Sequence, residues 1–379
     1  MNEIATWRGQ VPAWECDVDR RWNARHLAGA FEEAARAASG AALSGGELVV
    51  RMGAEAPLAG ALVEVRSSSR DGQAVHRLVA FPDGVPIAEV RLPGDAGQQL
   101  PTMPDDDLPG SIDVVRNWET DVMGHMNVQF YAGRITATEA LLVGNRGAAA
   151  TIIRPLEHRF RFAGELKAGE RVSAQATVLD GRKGAVRIEI AGGEGRLAAI
   201  AESDLATTDG SPIGEILAAG SLQDTLHPVW TAGEWVPDPA TLPQMTVLGR
   251  QEVSAWEVDH TGVMPPRFFF SRMASGVPYL MGQMGLDRPY MVANGYGRAA
   301  VGYRIKYLRW SRAGDCIELR SGIGLVREKN WRFRHAFVDA ADGEIICLSE
   351  AVIVLFDLAT RRSVPLPTAI RDRALALEN

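Results

Sequence analysis

Hydrophobic positions along the chain change from alternation to helical spacing and back three times, in the same order. In the middle of the chain, Val114, Val115 and then Trp118 predict a strand that turns at Gly124. Val128-Gln129-Phe130-Tyr131-Ala132 continues as a helix expected from about 127 to 142, and strands follow near 151–163, 171–179, 185–190 and 196–204. Upstream, alanine-rich residues 27–38 predict a helix, with strands at 48–52, 61–66, 74–80 and 87–92. Downstream, Pro265 and Pro266 open a helix, where proline is tolerated. It runs through Phe268, Phe269, Met273 and Tyr279 to about 285, ahead of strands at 302–309, 316–324, 331–339 and 345–356.

The threefold order coincides with a repeated motif. Trp118-Glu119-Thr120-Asp121 matches Trp14-Glu15-Cys16-Asp17, and Asn23 falls where Asn127 does at the same offset. It also matches Trp256-Glu257-Val258-Asp259, with Gly262 at the place of Gly124. Ala59-Gly60, Ala168-Gly169 and Ala313-Gly314 each open the second long strand of their segment. We read an internal triplication, with units at 1–95, 111–210 and 244–379 joined by linkers at 96–110 and 211–243. The proline- and acid-rich composition of the linkers supports that division. Each unit is a strand, a long helix and a meander of antiparallel strands, an α+β layer arrangement.

Composition narrows the classes. A chain of 379 residues with 46% hydrophobic content has ample core. A net charge of −7 argues against a nucleic-acid binder. No apolar run is long enough to span a bilayer. Met1-Asn2-Glu3-Ile4-Ala5 lacks a basic segment before an apolar one, so no secretory leader is expected and a cytoplasmic location is. Three scattered cysteines (Cys16, Cys316, Cys347) offer neither a disulfide framework nor metal-ligand spacing, so no metal site is expected.

The chemistry concentrates where Asp121, Gly124 and His125 precede a helix. Unpaired N–H groups and the positive end of the helix dipole can hold a developing negative charge there. Asp121 is a candidate nucleophile or general base, or else a carboxylate closing the turn. His125 could polarise a carbonyl or orient the turn. Asn127 suits either a helix cap or catalytic positioning. Met123, Met126 and Tyr131 are candidate substrate contacts, with Tyr131 also suited to the core. Asp17, Asp259 and His260 form a possible secondary site. Phe268, Phe269, Phe270, Met273, Tyr279 and Met281 could be core or line an acyl tunnel. Arg332-Arg334-His335 and Arg361-Arg362 could meet phosphates or form a solvated face.

The run Asp121-x-x-Gly124-His125-x-Asn127-x-x-x-Tyr131 resembles the signature of hotdog-fold acyl-CoA thioesterases of the 4-hydroxybenzoyl-CoA thioesterase type. The stretch from Tyr303 to Pro367 resembles that family's terminal strands. The resemblance implies a long central helix wrapped by a curved antiparallel sheet, three times per chain. It also implies hydrolysis of an acyl-CoA or acyl-carrier-protein thioester, with Asp121 as nucleophile or base and backbone N–H groups near Gly124 and His125 for the oxyanion. No cofactor is implied beyond coenzyme A as part of the substrate. Hotdog units pair, so three per chain suggest a homodimer. Val128 replaces the family's second asparagine. Arg20 and Arg21 replace the Gly-His pair in unit one, and Val263 and Pro265 replace His and Asn in unit three. Only unit two therefore carries the complete motif. Two other functions remain open: a non-catalytic acyl-CoA-binding or assembly protein, and a hotdog enoyl-CoA hydratase or dehydratase, although Asp121-x-x-x-His125 is one residue short of the hydratase spacing.

Overall fold

The computed structural model describes residues 3–39, 49–70, 73–93, 110–121, 123–148, 153–180, 183–208, 213–217 and 242–378. Among these residues the strands join into one antiparallel sheet of 16 strands. Its first stretch holds β1 (Ile4–Gln10), α1 (Ala24–Ser39), β2 (Val50–Met52), β3 (Leu62–Arg70), β4 (Gln73–Ala80) and β5 (Pro86–Pro93). The second holds β6 (Gly110–Val114), α2 (Val128–Asn145), β7 (Ile153–Phe162), β8 (Arg171–Val178), β9 (Ala185–Ala191), β10 (Leu197–Thr207) and the short α3 (Ile213–Ile216). The third holds β11 (Thr246–Glu252), α4 (Pro266–Met284), α5 (Arg288–Ala293), β12 (Tyr296–Tyr307), β13 (Cys316–Gly324), β14 (Asn330–Asp339) and β15 (Ile345–Asp357). The third ends with β16 (Ser363–Val364) and α6 (Thr368–Ala376).

The architecture is α+β, and the internal strand order is the same in each stretch: first, third, fourth, fifth, second. The starts of α1, α2 and α4 are related by the same two offsets as the Trp-Glu-x-Asp matches. Local chemistry sets these starts. Asn127 caps α2 by accepting from the Gln129 N–H at 3.2 Å. Pro265 and Pro266 begin α4, and Gly285 ends it at φ 86.

Packing distinguishes the stretches. β7 and β12 pair over five residues, from Arg161↔Gly302 to Glu157↔Lys306. α2 and α4 lie together beneath them. Phe160, Phe269, Phe270, Trp331, Phe333 and Phe337 are buried in one core that spans both stretches. Burial of each such ring contributes about 2 kcal/mol. The first stretch has a separate core around Trp7, Trp22, Leu27, Phe31 and Leu78. It joins the second through one β1–β6 register pair, Arg8↔Ile112, and through Glu33 on α1, which accepts from Arg116 Nη2 at 3.0 Å.

Several expectations are corrected. Trp118 lies in a 3-10 turn rather than a strand. β12 begins at Tyr296, before the expected 302, because it pairs along β15 from Tyr296↔Asp357. β1 shows no alternation because both its faces are buried. Its polar residues are matched internally, Thr6 to Ser67 at 2.6 Å and Arg8 to Glu64. β11 is masked in the sequence by Gly249 and charged residues on an edge strand. The expected linkers fall mostly outside the described residues, although Gly110 already belongs to β6 and α3 occupies part of the second. Tyr279 is 59% exposed and so not core, whereas Phe268, Phe269, Phe270, Met273 and Met281 are buried.

Candidate functional site

In each stretch the Trp-Glu pair makes a 3-10 turn before the loop that carries the aspartate. The glutamate turns inward and the tryptophan stays partly exposed. Glu119 receives both Arg134 Nη1 (2.8 Å) and Nη2 (2.7 Å) and accepts from the Arg116 N–H at 2.9 Å. Glu257 is held likewise by Arg272 (3.0 Å) and the Ser254 N–H (2.9 Å). Glu15 instead accepts from Trp22 Nε1 at 2.8 Å. These charge-assisted bonds compensate the burial of the carboxylates and tie the loop to the helix that follows. Sequence reasoning assigned this glutamate no role, although its recurrence in all three motifs was a visible signal.

The loop itself has one geometry. The backbone turns in the left-handed region at Arg20 (φ 65), Gly124 (φ 78) and Gly262 (φ 81). The aspartate N–H donates across the loop to Arg21, His125 or Val263 O, at 2.9, 2.8 and 2.8 Å. Asp121 Oδ1 accepts from the Met123 N–H (2.8 Å) and the His125 N–H (3.1 Å). Asp259 Oδ1 accepts from the Thr261 N–H (2.8 Å) and the Val263 N–H (3.4 Å). The carboxylate thus closes the turn in both loops, the structural role weighed for Asp121. Its second oxygen differs between them. Among the described residues nothing bonds Asp121 Oδ2, whereas Asp259 Oδ2 lies 3.4 Å from Arg154 Nη1.

The backbone donors near Asp121 are mostly occupied. The Gly124 N–H donates to Asp121 O (2.9 Å), Met126 to Leu166 O (2.7 Å) and Asn127 to Glu119 O (2.8 Å). The N–H groups of Gly124 and His125 themselves are taken up by the turn. The first helical N–H, Val128, has no partner among the described residues. Its counterpart in the third stretch is Pro266, which has no N–H.

His125 turns away from Asp121. Its Nε2 lies 3.1 Å from Glu165, which also receives Arg361 Nη2 at 2.8 Å. Arg361 thus forms an internal ion pair from the third stretch. Met123 is exposed, and Met126 and Tyr131 are buried. The Tyr131 ring packs edge-on to Phe162 at 5.2 Å, and burial pushes its hydroxyl up to about 12. Asp121 is exposed and faces the start of β12. There Arg298 is also exposed, yet packing around its head group lowers its pKa, an effect opposed by Tyr303 and Asp121. Arg332 and Arg334 pair with Glu350, and His335 is fully buried against Ser321 at 2.7 Å. This cluster is therefore neither a phosphate site nor a solvated face.

Asp259 and His260 border two cavities. One, of about 300 Å³, is lined by residues of all three stretches, among them Gln10, Gly60, Glu139, Arg154, His260 and Trp310. The other, of about 340 Å³, is shared with Asp17 and Arg20. Arg20 Nη2 donates to His260 O at 2.6 Å. Burial lowers the His260 pKa, opposed by Asp259 and reinforced by Arg154 and Arg20. Asp17 Oδ1 accepts from Asn23 Nδ2 at 2.7 Å. Among the described residues no group of three His, Cys, Asp or Glu could hold a metal ion. No described helix is long and apolar enough to cross a membrane.

The chain is similar in shape to several solved structures. An acyl-ACP thioesterase from Bacteroides thetaiotaomicron has TM-score 0.48 and 12% identity, covering 65% of this chain and 97% of its own. A putative oleoyl thioesterase from Lactobacillus plantarum has TM-score 0.49 and 12% identity, covering 69% and 98%. A hypothetical protein from Staphylococcus aureus in complex with CoA has TM-score 0.33 and 17% identity, covering 35% and 84%. No curated protein sequence matches significantly. Residues 253–374, which carry the Asp259 loop, α4 and the strands after it, match the family model of the Thioesterase-like superfamily.

Proposed function

We propose that the chain is three tandem hotdog units, at 1–95, 111–210 and 244–379, and that it hydrolyses an acyl thioester at the Asp121 loop of unit two. The reading is carried by one observation: Asp121 Oδ1 is held by two backbone N–H groups while, among the described residues, neither its Oδ2 nor the Val128 N–H at the start of the next helix has a partner. A carboxylate fixed on one oxygen presents the other to a carbonyl carbon or to a water. A free N–H at a helix start can accept the negative charge that builds on the thioester oxygen. Arg298 of unit three forms the facing wall, and its guanidinium suits an anionic part of the substrate. The superfamily match of unit three supports the thioester class. The likeness of the three loops supports the assignment of units one and two to the same fold.

The acyl handle is proposed to be coenzyme A or a carrier protein, with no metal and no redox cofactor. Unit one leaves β2 at the end of the sheet, which supports pairing with a second copy in a homodimer. Light scattering on the purified chain would read that mass directly. Thiol release from an acyl-CoA panel tests the chemistry. The expected result is turnover by the wild type and none by Asp121→Asn with an unchanged circular dichroism spectrum. Equal turnover by both would overturn the assignment, and tight acyl-CoA binding without turnover by either would favour a binding module.

A further inference from the structure

One cation is left without an acceptor where the three stretches meet. Arg267, in the first turn of α4, lines a pocket of about 140 Å³ together with Trp14 of the first stretch and Trp118 of the second. Every other charged side chain lining this pocket is held by an opposite charge. Arg8 pairs with Glu64, Glu15 with Arg116 at 3.8 Å, and Arg116 with Glu33. Asp113 and Glu119 pair with Arg134 at 3.0 and 2.7 Å. Arg267 makes no hydrogen bond or ion pair among the described residues. Its Cζ instead lies 4.4 Å from the Phe268 ring centroid and 5.3 Å from that of Trp14. Such cation–π contacts use none of its N–H groups. The helix does not require the cation, because the corresponding residue of α2 is Gln129.

The head group is on the pocket side and can be reached. Its Cδ would stand 4.0 Å from a side-chain carbon at Gly133, another lining residue. Burial lowers its pKa to about 10, opposed by Glu15 and Glu119 and reinforced by Arg134 and Arg116, and all four line the same pocket. None of its nitrogens is a fully buried atom without a partner, so the unused N–H groups keep surface open to a ligand. A guanidinium drawn partly out of water without an acceptor is costly, so a ligand that supplies one is favoured.

The rest of the lining says what else the ligand carries. Trp14 is 37% and Trp118 67% exposed, two large rings left facing water. Pro12, Phe130 and Ala137 extend the apolar wall. The volume is close to the roughly 150 Å³ that admits one benzene ring. A carboxylate matches the planar fork of an arginine.

We propose that this pocket binds a single-ring aromatic carboxylate, whose oxygens accept from the Arg267 N–H groups while its ring lies against Trp14, Trp118 and Phe130. Asp121, His125, Val128 and Arg298 do not line it, so the site is separate from the proposed thioester centre and does not depend on it.

Ligand-observed NMR titration of the full chain with benzoate, benzyl alcohol and acetate at neutral pH tests this. Benzoate is expected to bind at least tenfold more tightly than either of the others. Its affinity should fall at least tenfold in Arg267→Gln and also in Gly133→Leu, which fills the pocket without removing the charge. Gly133→Leu decides the matter should Arg267→Gln fail to fold. Asp121→Asn and Arg298→Gln should bind benzoate as the wild type does, so that failure of the thioesterase reading and failure of this one are told apart. Benzyl alcohol or acetate binding as tightly as benzoate, no benzoate binding by the wild type, or benzoate binding that survives either pocket substitution would overturn the proposal. Loss of binding in Arg298→Gln would overturn it too, by placing the anion at the thioester centre.

Discussion

Among the described residues, the second carboxylate oxygen of the Asp121 loop has no partner and the next helix starts on a Val128 N–H that has none either. At the Asp259 loop the same oxygen lies 3.4 Å from Arg154, and the helix starts on Pro266. The backbones are alike, with Gly124 and Gly262 at φ 78 and 81 and the aspartate closing both turns. A repeated loop therefore preserves its geometry through the residues that fold it, while the donor at the helix start and the cation beside the carboxylate differ between copies. The neighbourhoods have diverged as well. The start of β12 brings the exposed Arg298 to Asp121, whereas β7 brings Arg154 into ion-pair distance of Asp259.

The strongest way to break this comparison is to neutralise each aspartate while keeping its oxygen for the turn. Asp121→Asn is expected to lower kcat/KM for thiol release by about 10³-fold, within the range for loss of a base or nucleophile. Asp259→Asn should change it by less than about threefold, within the range of a surface substitution. Parallel loss in both would mean that the loops are chemically equivalent.

The donor can be tested by making one loop resemble the other. Val128→Pro removes the free N–H at a position where proline is accepted, after an Asn127 already extended at φ −69 and ψ 145. Turnover should fall by about 10²- to 10³-fold, the usual cost of losing an oxyanion donor, with little change in melting temperature. Unchanged turnover would remove the Val128 N–H from the mechanism.

A third test asks about a feature that two stretches keep. His76 meets Ser67 at 2.6 Å and His335 meets Ser321 at 2.7 Å, each across paired neighbouring strands. Burial lowers the two imidazoles to about 4 and about 3. An unfolded imidazole takes its proton near 6.5, so between those values the unfolded chain binds more protons. Stability is therefore complete above pH 6.5 and falls as pH is lowered through that window, by about 3 kcal/mol for His76. Urea midpoints from pH 7 to 4 should decline less steeply in His76→Gln than in the wild type. Identical slopes would show that His76 does not contribute.

The smallest expected effect is shared by both loops. Gly124→Ala and Gly262→Ala place a side chain in the left-handed region with no neighbouring atom in the way. Each should lower stability by about 1 kcal/mol, read as a shift of a few degrees in melting temperature. Unequal shifts would show that the two turns differ in backbone as well as in chemistry.

The sequence alone determined whatever depends on short-range rules. The Trp-Glu-x-Asp repeat, the turn glycines, Asn127 as a cap and the prolines opening α4 are local signals, because turns and helix ends are set by residues a few positions apart. From them came the three helices in register and the α+β class. Tertiary structure decided what no spacing encodes. Glu119 meets Arg134, which lies well along the helix, only because the loop packs back on it. His125 meets Glu165, which Arg361 also holds, rather than Asp121, and Arg154 reaches Asp259 from the neighbouring stretch. Glu139, His158 and Tyr307 line up because β7 and β12 pair in one particular register above α2. Register is settled by burial of whole faces, a property of the assembled sheet rather than of any short segment.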